Sequence, residues 1–140
     1  MRQQIKSMLT ELSKLLRQRL SLPLPGPEAQ YKMANAERRI NNARFKIPDN
    51  PRHSAVLILL YESKKSIKFP LIVRPVYDGV HSGQVALPGG SIEEGDKNLR
   101  VTAIRETEEE TGIFKKNVTI IGKLSELYIP PSNFLVTPFV

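Results

Sequence analysis

The chain has 140 residues, no cysteine and a formal net charge of +7, which describes one domain with a modest core and excludes disulfides and cysteine-ligated zinc or iron. Its longest apolar run, Ala55 to Tyr61, is far too short to span a bilayer. Residues 1–52 carry eleven Lys and Arg against four Asp and Glu, whereas residues 53–140 carry ten of each, so the positive excess sits in the first third and suits either an anionic partner or a solvated basic face.

Residues 3–20 place Ile5, Met8, Leu9, Leu12, Leu15, Leu16 and Leu20 three and four apart, among Lys6, Lys14, Arg17 and Arg19. This pattern predicts an amphipathic helix whose leucine stripe docks on its own domain or a second subunit, or lies on an anionic membrane. Residues 1–6 lack a signal-peptide layout, which makes a cytoplasmic location the expectation. Leu22 to Pro27 holds three prolines and a glycine and cannot continue the helix, because proline lacks the amide donor and clashes with the preceding turn. Residues 31–52 are polar and basic through Arg38, Arg39, Arg44, Lys46 and Arg52, with only Phe45 near the cluster, a poor stacking platform for nucleic acid.

Ser54 to Tyr61 reads as a strand buried on both faces. Glu62 to Lys68 reads as a polar turn, Phe69 to Arg74 as the returning strand of a hairpin, Asp78 to Gly83 as a loop and Gln84 to Leu87 as a short strand. A helix follows from about Asn98 to Thr111, stopped by Gly112, a residue suited to the left-handed position after a helix end. Val118 to Tyr128 and Leu135 to Val140 are further expected strands, separated by Pro130 and Pro131. A last strand at the chain terminus leaves its partner unnamed, so truncation at the C-terminus is expected. The domain division is 1–30 for the amphipathic helix and proline-rich connector and 31–140 for the main domain.

In the Asn98–Thr111 helix, Glu106, Glu109 and Glu110 are i, i+3 and i+4 and share a face, while Glu108 points elsewhere. Clustered carboxylates repel unless a cation, a basic partner or a proton relieves them. Arg105 can pair with Glu109 or Glu108 but cannot neutralise all. An oxygen-only cluster suits Mg²⁺ or Mn²⁺, which share their sites with substrate phosphates; a solvated acidic face is the plain alternative. The preceding Pro88-Gly89-Gly90 permits close approach of backbone to a ligand or metal, and shifts the balance toward a site.

The order Gly90, Asp96, then R-E-T-E-E-E-T-G-I from Arg105 to Ile113 resembles the Nudix box. The acid is Asp96 in place of Glu, the gap from it to Arg105 is one residue longer than usual, and Thr107 replaces an aliphatic. Upstream, LIVRPVYDGVHSGQVALPGG, residues 71–90, is similar to the stretch that precedes the box in the coenzyme A pyrophosphatase-like branch of the Nudix superfamily. Arg74, His81, Gly83, Gln84, Pro88, Gly89 and Gly90 match it; Val73, Pro75 and Leu87 depart from it.

The resemblance implies an α/β fold, the Nudix α/β/α sandwich with a mixed sheet and a catalytic strand-loop-helix, to which this chain adds its N-terminal helix. It implies hydrolysis of coenzyme A or a derivative to 3′,5′-ADP and 4′-phosphopantetheine, with Mg²⁺ or Mn²⁺ as cofactor. Glu106, Glu110, Glu109 and the carbonyl of Gly90 are the implied metal ligands. Glu109 is also a candidate for orienting or deprotonating water, and Arg105 for orienting a glutamate. Arg74, His81, Gly83, Gln84 and Gly89 are the implied substrate contacts. His53 carries no assignment, and Glu126 is the only acid after Glu110. The basic first third has a candidate ligand in the phosphates of coenzyme A. The expected partner is a small-molecule diphosphate, not a membrane or nucleic acid; enzymes of this type are often dimeric, and the leucine stripe offers a homodimer surface. The rival readings are another nucleoside diphosphate, such as ADP-ribose or a dinucleotide, and a binding module for phosphate ligands or RNA.

Overall fold

A computed structural model describes residues 2–32, 46–64, 66–76, 78 and 82–140. Helix α1, Arg2–Leu20, and a short helix α2, Pro27–Lys32, precede strands β1 (Arg52–Leu57), β2 (Tyr61–Ser63), β3 (Ser66–Lys68), β4 (Ile72–Val73), β5 (Val85–Ala86) and β6 (Gly89–Ser91). Helix α3, Leu99–Thr111, is followed by β7 (Leu127–Ile129) and β8 (Phe134–Phe139). The central sheet runs β6-β1-β8-β7. Strand β8 is parallel to β1 and antiparallel to β7, and β6 is antiparallel to β1, so the sheet is mixed, as the α/β expectation requires.

Strand β1 alternates its side chains between two faces. Ala55 and Leu57 are fully buried with Ala103 of α3, Ile120 and Phe139, and Leu99, Ile104 and Val118 pack around them. The opposite face carries Ser54, Val56 and Ile58 toward a groove. Burial on both faces was expected for the run from Ser54 to Tyr61. The strand instead ends at Leu57, and Val56 is half-buried, because α3 covers only one face.

The hairpin is also rearranged. Tyr61–Ser63 pairs directly with Ser66–Lys68, inside the stretch expected to be a turn, with Lys64 at a φ of 50° at the reversal. Ile72–Val73 pairs with Val85–Ala86 instead of returning to β2. Most of Val118 to Tyr128, expected as a strand, is extended chain held at isolated points. Ile121 and Gly122 donate to the Val140 carbonyl, Leu124 donates to that of Pro138, and Lys123 bridges Phe139. The partners of β8 lie within the chain, on both sides of it, contrary to the expectation that its partner is unnamed. Helix α2 was not anticipated; it opens on Pro27, whose missing amide costs nothing at a first helical position. The readings for Arg38, Arg39, Arg44, Phe45 and His81 lie outside the described residues.

Helix α1 seats its Leu9, Leu12, Leu16 and Leu20 side half-buried, while Met8 and Leu15 stay exposed. Leu9, Ser13 and Arg17 face Leu59, Leu60 and Ile121 across a small cavity, and Leu20 lies on Gly122 so closely that a Cβ there would overlap it. The leucine stripe therefore docks on its own domain. No described helix is long and apolar enough to cross a membrane. Gly122→Val is expected to overpack this seat and cost about 1–3 kcal/mol, read as a lowered urea midpoint; a midpoint equal to wild type would show that α1 does not rest there.

Candidate active site

Helix α3 is delimited by local chemistry. Asn98, in extended conformation, caps it by accepting from the amides of Arg100 and Val101 at 3.0 and 3.2 Å, an arrangement that stabilises by about 1 kcal/mol. Gly112 closes it at a φ of 72°, its amide donating to the Glu108 carbonyl. Between the caps, Ala103, Glu106, Thr107 and Glu110 recur at spacings of three and four toward the sheet. Thr107 stands fully buried where the family pattern has an aliphatic, and its hydroxyl is satisfied by the Ala103 carbonyl at 2.7 Å.

Gly89 and Gly90, which the sequence reading leaves between the Gln84–Leu87 strand and the helix, are part of strand β6, paired with β1 through Ala55↔Gly90 and Val56↔Gly89. Both are required by close approach. A Cβ on Gly89 would strike the Ala55 carbonyl and the Val56 backbone, and one on Gly90 would occupy the space of the Glu106 carboxylate. With no side chains between them, helix and strand join through carboxylates: the Gly89 amide donates to Glu110 Oε2 at 2.8 Å, and Glu106 lies over Gly90.

Arg105 organises the rest. Its Nε donates to Asp96 Oδ1 at 3.1 Å and its Nη2 to Asp96 Oδ2 at 2.9 Å, a bidentate pair. Nη2 also donates to the Ser91 carbonyl at 3.2 Å, and Nη1 reaches Glu106 at 3.0 Å and Glu109 at 3.2 Å. The pairing with Glu109 follows the sequence expectation; Glu108 instead accepts from the Lys115 amide. Asp96, whose duty the sequence leaves open, is the anchor of this arginine. Its side chain is 4% exposed and also accepts from the Glu93 amide and the Thr102 hydroxyl. The sequence signal for it was the acid of the Nudix-like pattern, six residues after Gly90.

Burial raises the Glu106 carboxyl above its ordinary value; Glu109 and Glu110 add to that, and Arg105 opposes it. Glu106, Glu109 and Glu110 stand on one region of α3, and the donor set is oxygen only. Among the described residues no three acids or histidines form a preassembled metal cage. Their chemistry nevertheless fits a hard divalent cation, because a half-buried carboxylate among like charges favours one. Arg74, Gln84, Gly89 and Gly90 line one groove beside this edge. Gly83 does not line it and forms a turn at a φ of 66°. His53 lies on the α3 side of the sheet, in a separate cavity with Arg100, Lys123 and Glu126.

The hydrogen bonds from Arg105 are the main cause that lowers the Asp96 carboxyl from 3.8 to about 2, with burial opposing. A depressed folded-state value stabilises the fold fully above the unfolded value and loses that contribution as pH falls from about 4 to about 2. The shift corresponds to about 2 kcal/mol. Asp96→Asn is expected to lose roughly that amount near neutral pH and to show a flatter decline between pH of about 4 and 2 in urea unfolding; superimposable pH profiles for variant and wild type would refute the anchoring role.

Residues 51–139 match the family model of the NUDIX domain. An uncharacterized Nudix hydrolase NudL from Photorhabdus laumondii is 39% identical over 95 residues, covering 68% of this chain and 50% of that protein. Nudix hydrolase 15, mitochondrial, from Arabidopsis thaliana is 42% identical over 82 residues, covering 58% of this chain and 27% of that protein. The chain thus spans half or less of the length of these curated relatives. A solved MutT/nudix family protein from Enterococcus faecalis superposes with a TM-score of 0.53 at 20% identity, over 84% of this chain and 49% of that one, a likeness of fold. With the domain model matching more than half of its length, the chain belongs to the Nudix family.

Proposed function

We propose that this chain hydrolyses a diphosphate linkage with the help of Mg²⁺ or Mn²⁺, and that its substrate is coenzyme A or a derivative, released as 3′,5′-ADP and 4′-phosphopantetheine. The observation that carries the reading is the placement of the Glu106 and Glu110 carboxylates directly against the Gly89–Gly90 backbone. Glu106, Glu110 and the Gly90 carbonyl would hold the cation, with Glu109 as a further ligand or as the group that orients water. The cation, when bound, screens the diphosphate and stabilises the charge that builds on the leaving phosphate.

The chain's own residues do the positioning. Arg105, held by Asp96, fixes the rotamers of Glu106 and Glu109 through charge-assisted bonds. Arg74, beside Gln84 and the glycines, faces the groove, and among the described residues no carboxylate pairs with it; it is the cation available to a substrate phosphate. The choice of coenzyme A rests on the matching residues of the 71–90 stretch, His81 and Gly83 included. Three mutually repelling acids beside a strand that only glycine can form have no evident use in a module that merely binds RNA.

Incubation of the purified protein with Mg²⁺ or Mn²⁺ and a panel of coenzyme A, ADP-ribose and a dinucleoside diphosphate, followed by mass spectrometry, is expected to give the two named products from coenzyme A. Turnover of ADP-ribose alone would sink the coenzyme A assignment. Glu110→Gln is expected to lower kcat by roughly 10²-fold or more while the circular dichroism spectrum is kept; hydrolysis near the wild-type rate would remove Glu110 from the site.

A further inference from the structure

The α3 side of the sheet holds a second cavity, of about 640 Å³, within the size range of small-molecule pockets. It shares no lining residue with the groove beside Gly89 and Gly90, because a strand sends neighbouring side chains to opposite faces. His53, Thr137 and Phe139 line the cavity, whereas Ser54, Val136 and Pro138 line the groove. None of Glu106, Glu109 and Glu110 lines the cavity. Arg100, on its wall, stands six residues before Glu106, about 9 Å along the helix. Glu126, the acid that follows Glu110 in the chain, belongs to the cavity and not to the groove.

The walls divide by chemistry. Ile92, Leu99 and Phe139 give an apolar floor, and Ile92 remains 40% exposed, an apolar side chain left without cover. Around them stand Arg100 of α3, Lys123 of the extended segment that bridges Phe139, and His53 of β1, from three stretches far apart in the chain. Among the described residues no carboxylate lies within 4 Å of Arg100 or Lys123. Arg100 spends one long bond, 3.4 Å, on the Ile120 carbonyl. Asn98, also on the wall, is occupied in capping α3. Glu126 is the one acid on the walls, and its Oε1 accepts from the Thr137 hydroxyl at 3.1 Å. Two cations and an imidazole against one carboxylate leave a positive balance, which counts for more beside an apolar floor than in open water. A neutral ligand would leave those cations without a partner, and an inorganic anion would leave the floor wet.

We infer that this cavity binds a small amphipathic anion, at a site separate from the diphosphate. The charged head sits among Arg100, Lys123 and His53, and the apolar body covers Ile92, Leu99 and Phe139. Glu126 tempers the positive balance, which favours a single phosphate or carboxylate head over a polyphosphate. Ile92 and Asn98 are the first and last residues of the loop that carries Asp96, so the occupant contacts both ends of that loop. The site needs neither a divalent metal nor the carboxylates of α3, and it stands whether or not a diphosphate is hydrolysed.

The test is isothermal titration calorimetry of the purified chain with hexyl phosphate, hexanoate and inorganic phosphate, below the micelle concentration of the hexyl compounds and without divalent metal. Under those conditions the carboxylates at the β6 edge repel the same probes. One hexyl compound or both are expected to bind at one site per chain, about tenfold or more tighter than inorganic phosphate, and the tighter of the two identifies the head group. Arg100→Gln combined with Lys123→Gln is expected to weaken that binding by roughly tenfold or more; if the double variant loses the wild-type circular dichroism spectrum, the two single variants are read in its place. Glu126→Gln, which keeps an acceptor for Thr137, is expected to tighten it several-fold. Arg74→Gln, in the groove on the opposite face, is expected to leave it unchanged. No saturable binding, equal affinity for hexyl and inorganic phosphate, or undiminished binding in the Arg100 and Lys123 variants would overturn the inference. Loss of binding in Arg74→Gln would place the anion in the groove and overturn it equally.

Discussion

The site depends on how closely helix α3 approaches strand β6. Two consecutive residues without side chains let the helix come near enough for carboxylates, not methylenes, to fill the gap. Glu110 accepts from the Gly89 amide, and Glu106 takes the volume that any Cβ on Gly90 would need. The same glycines pair with Val56 and Ala55 in the sheet, so their backbone is held from one side by β1 and from the other by the helix. A carboxylate set in this way stays where the sheet puts it, which is the preorganisation that electrostatic catalysis requires.

Arg105 and Asp96 extend that constraint to the intervening loop. The loop between β6 and α3 carries Glu93, Glu94 and Gly95 on the surface and would be loosely held without the nearly buried Asp96 at its end. Asp96 ties it to α3 through Arg105 and Thr102, and to its own turn through the Glu93 amide. Arg105 thus joins three elements, since it also reaches the Ser91 carbonyl of β6. Removing one partner of such a pair leaves a desolvated charge, which is why these contacts act together and not as separable increments. The acids of residues 93–110 consequently serve different ends: an anchor at Asp96, a metal-suited group at Glu106, Glu109 and Glu110, a backbone acceptor at Glu108, an exposed carboxylate 3.9 Å from Arg105 at Glu93, and a solvated charge at Glu94.

The opposite face of the sheet carries the groove beside this edge. Because α3 covers Ala55 and Leu57 but not Val56 and Ile58, one strand supplies both a packed core and, among the described residues, the apolar floor of a groove. The β4–β5 hairpin, set apart from the central sheet, walls that floor and brings Arg74 and Gln84 beside the glycines. The packed core and the groove are therefore two faces of β1 and β8.

What the sequence by itself determined is what short-range chemistry controls. The helix from Leu99 to Thr111 was legible because Asn98, the i, i+3, i+4 spacing and Gly112 all act within a few residues. The shared region of Glu106, Glu109 and Glu110 followed from the same period, and the leucine stripe of α1 from its own. Tertiary structure decided what depends on residues far apart in the chain. It made Gly89–Ser91 a strand by pairing it with β1, set Arg52–Leu57 parallel to Phe134–Phe139, and seated Leu20 on Gly122. It also turned Asp96 into the anchor of Arg105 and left one face of the sheet uncovered by any described helix. An apolar run such as Ala55–Tyr61 states only that burial is favourable; which face is covered depends on where α3 lies, and no local pattern encodes that.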